Sequence, residues 1–108
     1  ADGDVVRVFN ARGACLAAVR TSAALRAGVA RLSTGAWFDP TDWRACGPGN
    51  LEKHGNPNVL SLDIGASSLS QGCSAQTCLV QVERYTGPAV VPTPYALPTF
   101  VGKPPDQP

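Results

Sequence analysis

Apolar and polar residues alternate most clearly at the two ends of the first 85 positions. Val5-Val6-Arg7-Val8-Phe9 is a β-branched run behind Asp2-Gly3-Asp4, and Asn10-Ala11-Arg12-Gly13 has the residue types of a tight turn before a second apolar run over 14–21. This pattern predicts a β-hairpin. Residues 77–85 alternate again, with Leu79, Gln81, Glu83 and Tyr85 on one face and Val80, Val82 and Arg84 on the other, which predicts a strand. Between them, residues 29–32 and 59–63 predict two further short strands. Ser22, a residue type that caps helices, and the small residues over 66–70 predict single helical turns. Residues 41–51 are rich in Gly, Pro and Asp without periodicity, which predicts a surface excursion.

Short strands joined by turns define an all-β chain, mainly β with short helical turns. Composition agrees: 108 residues hold eleven glycines and ten prolines but no methionine, and at that length one modest core is the limit. The missing methionine suggests a piece of a longer protein. Most of the prolines lie beyond Thr86, so residues 88–108 are expected to form an extended, Pro-rich tail lying on a neighbour or free, behind a folded unit over 1–87.

Charge narrows the partners. Nine Lys and Arg stand against eight Asp and Glu without a basic run, so the electrostatic footprint of a nucleic-acid binder is missing. No apolar stretch approaches the roughly 20 residues that cross a bilayer, and no membrane insertion is expected. Cys15, Cys46, Cys73 and Cys78 lack the spacing of a zinc knuckle, an iron–sulfur site or a small secreted scaffold. They are read as buried or half-buried free thiols, which favours the cytoplasm over the periplasm without deciding between them.

Candidate chemistry concentrates in residues 54–71. Asn56, Asn58 and Gln71 each offer a donor and an acceptor at fixed spacing, the complement of a flat heterocycle's edge. Gly55 permits close backbone approach, and Pro57 keeps Asn56 out of the α region. His54 is the only histidine, which leaves a catalytic triad with little support. A second candidate loop runs through Ser33, Gly35, Trp37 and Phe38. In an extended backbone adjacent rings point to opposite faces, so one of the two is expected inside and the other towards a loop or ligand. No phosphate-binding glycine motif occurs. The residues favour recognition over bond-making.

Taken together, Gly3-Asp4-Val5-Val6-Arg7-Val8, Gly35-Ala36-Trp37-Phe38-Asp39-Pro40, His54-Gly55-Asn56-Pro57-Asn58-Val59-Leu60 and Gly65-Ala66-Ser67-Ser68-Leu69-Ser70-Gln71-Gly72 resemble one known module. The chain is similar to the C-terminal molybdopterin dinucleotide-binding domain of the dimethyl sulfoxide reductase family, nearest its biotin sulfoxide and trimethylamine N-oxide reductase members. That resemblance implies a double-psi β-barrel, here incomplete at its N-terminus, contributing to a bis(molybdopterin guanine dinucleotide) site with molybdenum that other domains of a parent reductase share. It implies that Asn58 and Gln71 bond the pterin edge and that Ser33, Gly35 and Trp37 line the same site. His54 and Asn56 would lie nearby, and Ser67 or Ser68 with backbone amides would meet the pyrophosphate. It implies an enzyme acting on S-oxides or N-oxides, with no autonomous activity in this chain. The alternative from another class is a stand-alone β-barrel that binds a protein partner through its loops and tail.

Overall fold

A computed structural model describes residues 1–72, 74 and 77–97. It contains β1 (Val5–Phe9), β2 (Ala14–Ala18), β3 (Leu51–Glu52), a 3-10 helix (Pro57–Val59) and β4 (Gln81–Arg84). The strands form one sheet in the order β3-β2-β1-β4. The all-β class stands, in the form of an open four-stranded sheet.

β1 and β2 make the expected hairpin, in antiparallel register from Val5↔Ala18 to Phe9↔Ala14. Asn10 closes its turn. The side-chain oxygen accepts the Arg12 N–H at 2.9 Å, and the amide donates to the carbonyls of Leu60 and Leu79 at 2.8 and 3.2 Å. One short polar side chain thus ties the turn to two distant segments. β4 adds to the free edge of β1, from Phe9↔Gln81 to Val6↔Arg84. Arg7 fastens that seam: it pairs with Glu83 at 2.8 Å, lies 4.2 Å over the Phe9 ring and donates to the Pro48 carbonyl at 3.2 Å.

β3 is the element that positions the site. It pairs in parallel with β2, Ala14↔Leu51 and Cys15↔Glu52, and a parallel neighbour requires a long crossover, which residues 19–50 supply. Its other side meets the 39–41 segment through a Pro40↔Glu52 bridge, with Thr41 N–H on the Leu51 carbonyl and Lys53 N–H on the Asp39 carbonyl, both at 2.9 Å. Two flanking neighbours explain why a residue as polar as Glu52 is buried.

The core is small. Val8, Cys15 and Leu60 form its centre, with Val6, Leu32, Val59 and Val80 packed around them. Many large apolar side chains remain outside it, Leu69 and Leu79 among them at 99% and 94% exposure. No helix among the described residues is long and apolar enough to cross a membrane.

Several local expectations are corrected. Residues 29–32 form no strand; only Leu32 reaches the core, while its neighbours are exposed. Residues 59–63 form no strand either, because Pro57 starts a 3-10 turn in which the Asn56 side chain accepts the Asn58 N–H. The 66–70 turn is not helical: Ser67 N–H donates forward to the Ser70 carbonyl and Ala66 N–H to the Gly72 carbonyl, as in a hairpin. The strand read over 77–85 is regular only at 81–84. Trp37 and Phe38 are both exposed, and Phe38 meets Trp43 edge to face at 5.4 Å instead of one ring entering the core. Cys15 is a buried free thiol as expected, whereas Cys46 and Cys78 are exposed. Cys73 and residues 98–108 of the Pro-rich tail lie outside the described residues.

Candidate functional site

Glu52 organises the loop that follows it. Its Oε1 accepts the backbone N–H groups of Asp39 at 3.1 Å and His54 at 2.9 Å, and its Oε2 accepts those of Gly55 and Asn56 at 2.6 Å each. Four N–H donors converge on one buried carboxylate, charge-assisted bonds of the stronger kind. Gly55 makes this convergence possible with φ +86°, a left-handed conformation that costs a residue bearing Cβ. The Leu16 carbonyl would also lie 3.2 Å from a Cβ there.

Asp39, on the opposite side of the Pro40↔Glu52 bridge, is buried as well. Its carboxylate accepts from the Thr93 N–H at 2.6 Å and the Thr93 hydroxyl at 2.9 Å, and pairs with Lys53 at 3.4 Å. Burial pushes the carboxyl up, but the Thr93 bonds and the Lys53 ammonium outweigh it and hold Asp39 below the ordinary carboxylate value. Cys15, the register partner of Glu52, shifts the other way. Burial, with the negative Glu52 beside it, pushes its thiol up to about 11.

Lys53, His54 and Gly55, in the loop that Glu52 holds, border an open cleft of about 640 Å³. Arg20, Arg31, Ser33, Thr34, Lys53 and His54 are among the residues that line it. His54 Nδ1 stands 3.2 Å from the Trp37 carbonyl. A carbonyl only accepts, so Nδ1 bears the proton and Nε2 of the neutral ring is left as an acceptor. Hydroxyls, guanidinium groups and an imidazole acceptor around one cleft suit a ligand that presents both an anion and a polar edge.

Of the residues predicted from sequence, Ser33 and His54 meet in this cleft, although 21 positions separate them. Trp37 touches the site through its carbonyl on His54, while the residue as a whole is 66% exposed. Gly35 takes φ +100° in the same loop, in open space. Asn56 is buried and its side-chain oxygen is committed to the Asn58 N–H at 2.9 Å. Asn58, Ser68 and Gln71 do not line the cleft. Asn58 is exposed on the 3-10 helix, Ser68 is exposed in the 65–72 turn, and Gln71 closes that turn by donating to the Ser67 carbonyl at 3.0 Å. Glu52, Lys53, Arg20, Arg31 and Thr93 were not singled out in the sequence. Glu52 and Lys53, as adjacent charges, read as solvated surface, and Arg20, Arg31 and Thr93 belong to no motif; Gly55 is a local hint that backbone amides gather there.

Comparison with known proteins places this geometry in context. The sequence profile described as the molydopterin dinucleotide binding domain matches residues 1–79. The chain is 57% identical over 89 residues to a biotin sulfoxide reductase of Cereibacter sphaeroides, covering 82% of this chain and 11% of that protein. It is 51% identical over 98 residues to a dimethyl sulfoxide/trimethylamine N-oxide reductase of Rhodobacter capsulatus, with coverage of 91% and 12%. Against trimethylamine-N-oxide reductase 1 of Escherichia coli (strain K12) the identity is 55% over 86 residues, 80% of this chain and 10% of that one. The chain spans about a tenth of the length of these relatives.

Proposed function

This chain belongs to the molydopterin dinucleotide binding domain family, and from that premise we propose that it holds part of a bis(molybdopterin guanine dinucleotide) cofactor inside a larger molybdenum reductase of S-oxides or N-oxides. Family membership selects this reading over a stand-alone interaction module. The observation that carries it is the convergence of Ser33, Thr34 and His54 on one cleft whose rim is fixed by Glu52. A cleft of about 640 Å³ accommodates one portion of so large a group, in keeping with a site shared among domains.

The donor set fits that portion. Arg20 and Arg31 supply positive charge for a pyrophosphate, so Ser68 and backbone amides need not serve alone. Ser33 and Thr34 offer hydroxyls, and His54 Nε2 accepts from a ring N–H or an amine. Asn58 and Gln71 are proposed to reach the pterin edge from the 3-10 helix and the 65–72 turn, with Trp37 and Gly35 shaping the loop that carries Ser33. Asn56 acts inside this set as a cap, since its oxygen is already engaged. The bound metal and pterin supply the redox chemistry, and the protein supplies binding and orientation. Residues 1–87 are then part of a double-psi β-barrel completed by the parent enzyme.

The test is cofactor content in the intact enzyme. Molybdenum and guanine nucleotide per polypeptide are measured for Ser33→Ala, His54→Ala, Asn58→Ala and Gln71→Ala, and a several-fold loss in at least the first two is expected. Full cofactor content in all four would remove these residues from the site.

A further inference from the structure

We propose that residues 88–97 form a strap that walls one side of the Ser33–His54 cleft, with Thr93 as its anchor and Tyr95 as a positioning residue for His54. This rests on the cofactor-binding reading for its purpose, but its geometry stands apart. The family profile matches residues 1–79, and the strap lies outside that match.

The strap is fastened at three points. At its start, the Tyr85 hydroxyl donates to the Pro88 carbonyl at 2.9 Å. In its middle, Thr93 gives both its backbone N–H and its hydroxyl to the two oxygens of Asp39, at 2.6 and 2.9 Å, and accepts from the Lys53 ammonium at 3.3 Å. This is no solvated surface pair: the side chains of Lys53 and Asp39 are only 15% and 3% exposed. Near its end, Tyr95 meets the His54 ring edge to face, with centroids 5.5 Å apart and planes at 89°. Between these points Val90 and Pro92 line the cleft.

Each contact bears on the site. Asp39 is joined through its own N–H to Glu52, so the anchor grips the same frame that shapes the His54 loop. His54 is held by the Trp37 carbonyl at one nitrogen and by Tyr95 at the ring, which fixes where Nε2 points. Pro88, Pro92 and Pro94 lower the freedom of the undocked segment, so less entropy is lost when it docks. Release of the strap would remove a wall of the cleft and one of the two supports of the imidazole.

The experiment uses the intact enzyme as wild type, Thr93→Val, Thr93→Ser and Tyr95→Leu, with three readouts. These are hydrogen–deuterium exchange of peptides covering 88–97, the rate of diethyl pyrocarbonate modification at His54, and guanine nucleotide retained after extended dialysis. Exchange in 88–97 is expected to rise about tenfold or more in Thr93→Val, as for the loss of a bond to a charged group, and to return towards wild type in Thr93→Ser. Modification of His54 should be several-fold faster in Thr93→Val and Tyr95→Leu, and nucleotide retention should fall in Thr93→Val. Wild-type 88–97 exchanging like a free peptide, or one His54 rate in all four proteins, would overturn the strap. So would unchanged retention in a Thr93→Val protein whose strap has been freed. A wild-type enzyme without guanine nucleotide would instead sink the cofactor reading, leaving exchange and modification to decide the strap.

Discussion

The Glu52 carboxylate and the Asp39 backbone N–H are joined at 3.1 Å across a bridge between segments thirteen residues apart. Through that bond one buried acid holds the 53–56 loop while the other holds Thr93, so two candidate site loops share a frame. Neither carboxylate needs to touch a ligand to matter.

Removing Glu52 would orphan that frame. Glu52→Ala leaves four backbone N–H groups without their acceptor, and a destabilisation of about 3 kcal/mol or more is expected. Glu52→Gln keeps the shape but turns an NH2 towards N–H donors, and should cost about 2 kcal/mol. Urea midpoints of the two variants check both figures. Equal midpoints for wild type and Glu52→Ala would show that water satisfies these amides.

Asp39 predicts acid sensitivity. Its folded carboxyl titrates below the ordinary carboxylate value, so the unfolded chain takes up the proton first as pH falls. The stabilisation is therefore complete above about pH 4 and is lost as pH drops through the lower folded value. Asp39→Asn should flatten the dependence of stability on pH below about 4 and lower stability at neutral pH. An unaltered acid slope in that variant would assign the effect to other carboxylates.

How much of this could be read from the sequence follows from the range of the interactions. The β1–β2 hairpin was legible because Val6, Val8 and the Asn10–Gly13 turn are local signals. The parallel β2–β3 pair was not, since β3 is two residues long and its register depends on a crossover of more than thirty residues. The apolar run at 29–32 suggested a strand, yet only Leu32 found a packing partner. Ser33 and His54, which line the cleft, come from the two loops that the sequence singles out. Glu52 and Thr93 were not legible, because a buried acid is defined by the amides folded around it, and Thr93 by a carboxylate 54 positions earlier.

Cys15 predicts a contrast in thiol chemistry. With its thiol pushed up to about 11 and buried, it should resist alkylation at pH 8 in the folded protein, while exposed Cys46 and Cys78 react. The raised folded value also means that its stabilising contribution is intact below about pH 9 and is lost as pH rises towards 11. Mass spectrometry after timed alkylation checks the first expectation, and a Cys15→Ala variant with weaker pH dependence over 9–11 the second. Rapid labelling of Cys15 in folded protein would contradict its place in the core.

Two glycines predict opposite signs for one substitution. Gly13 is buried at the hairpin turn, and a Cβ there would run into the backbone carbonyl of Val59, at the end of the 3-10 helix beside the core residue Leu60. Backbone cannot swing aside as a side chain can, so Gly13→Ala should push the helix off the hairpin and cost about 1–3 kcal/mol. Gly49 has open space around its Cβ position and no positive φ. Gly49→Ala should therefore leave the fold untouched and stabilise by up to about 1 kcal/mol, through the lost freedom of the unfolded chain. Urea midpoints falling for the first and holding or rising for the second would match. Equal losses in both would mean that the contact between the hairpin turn and the 3-10 helix does not govern the response.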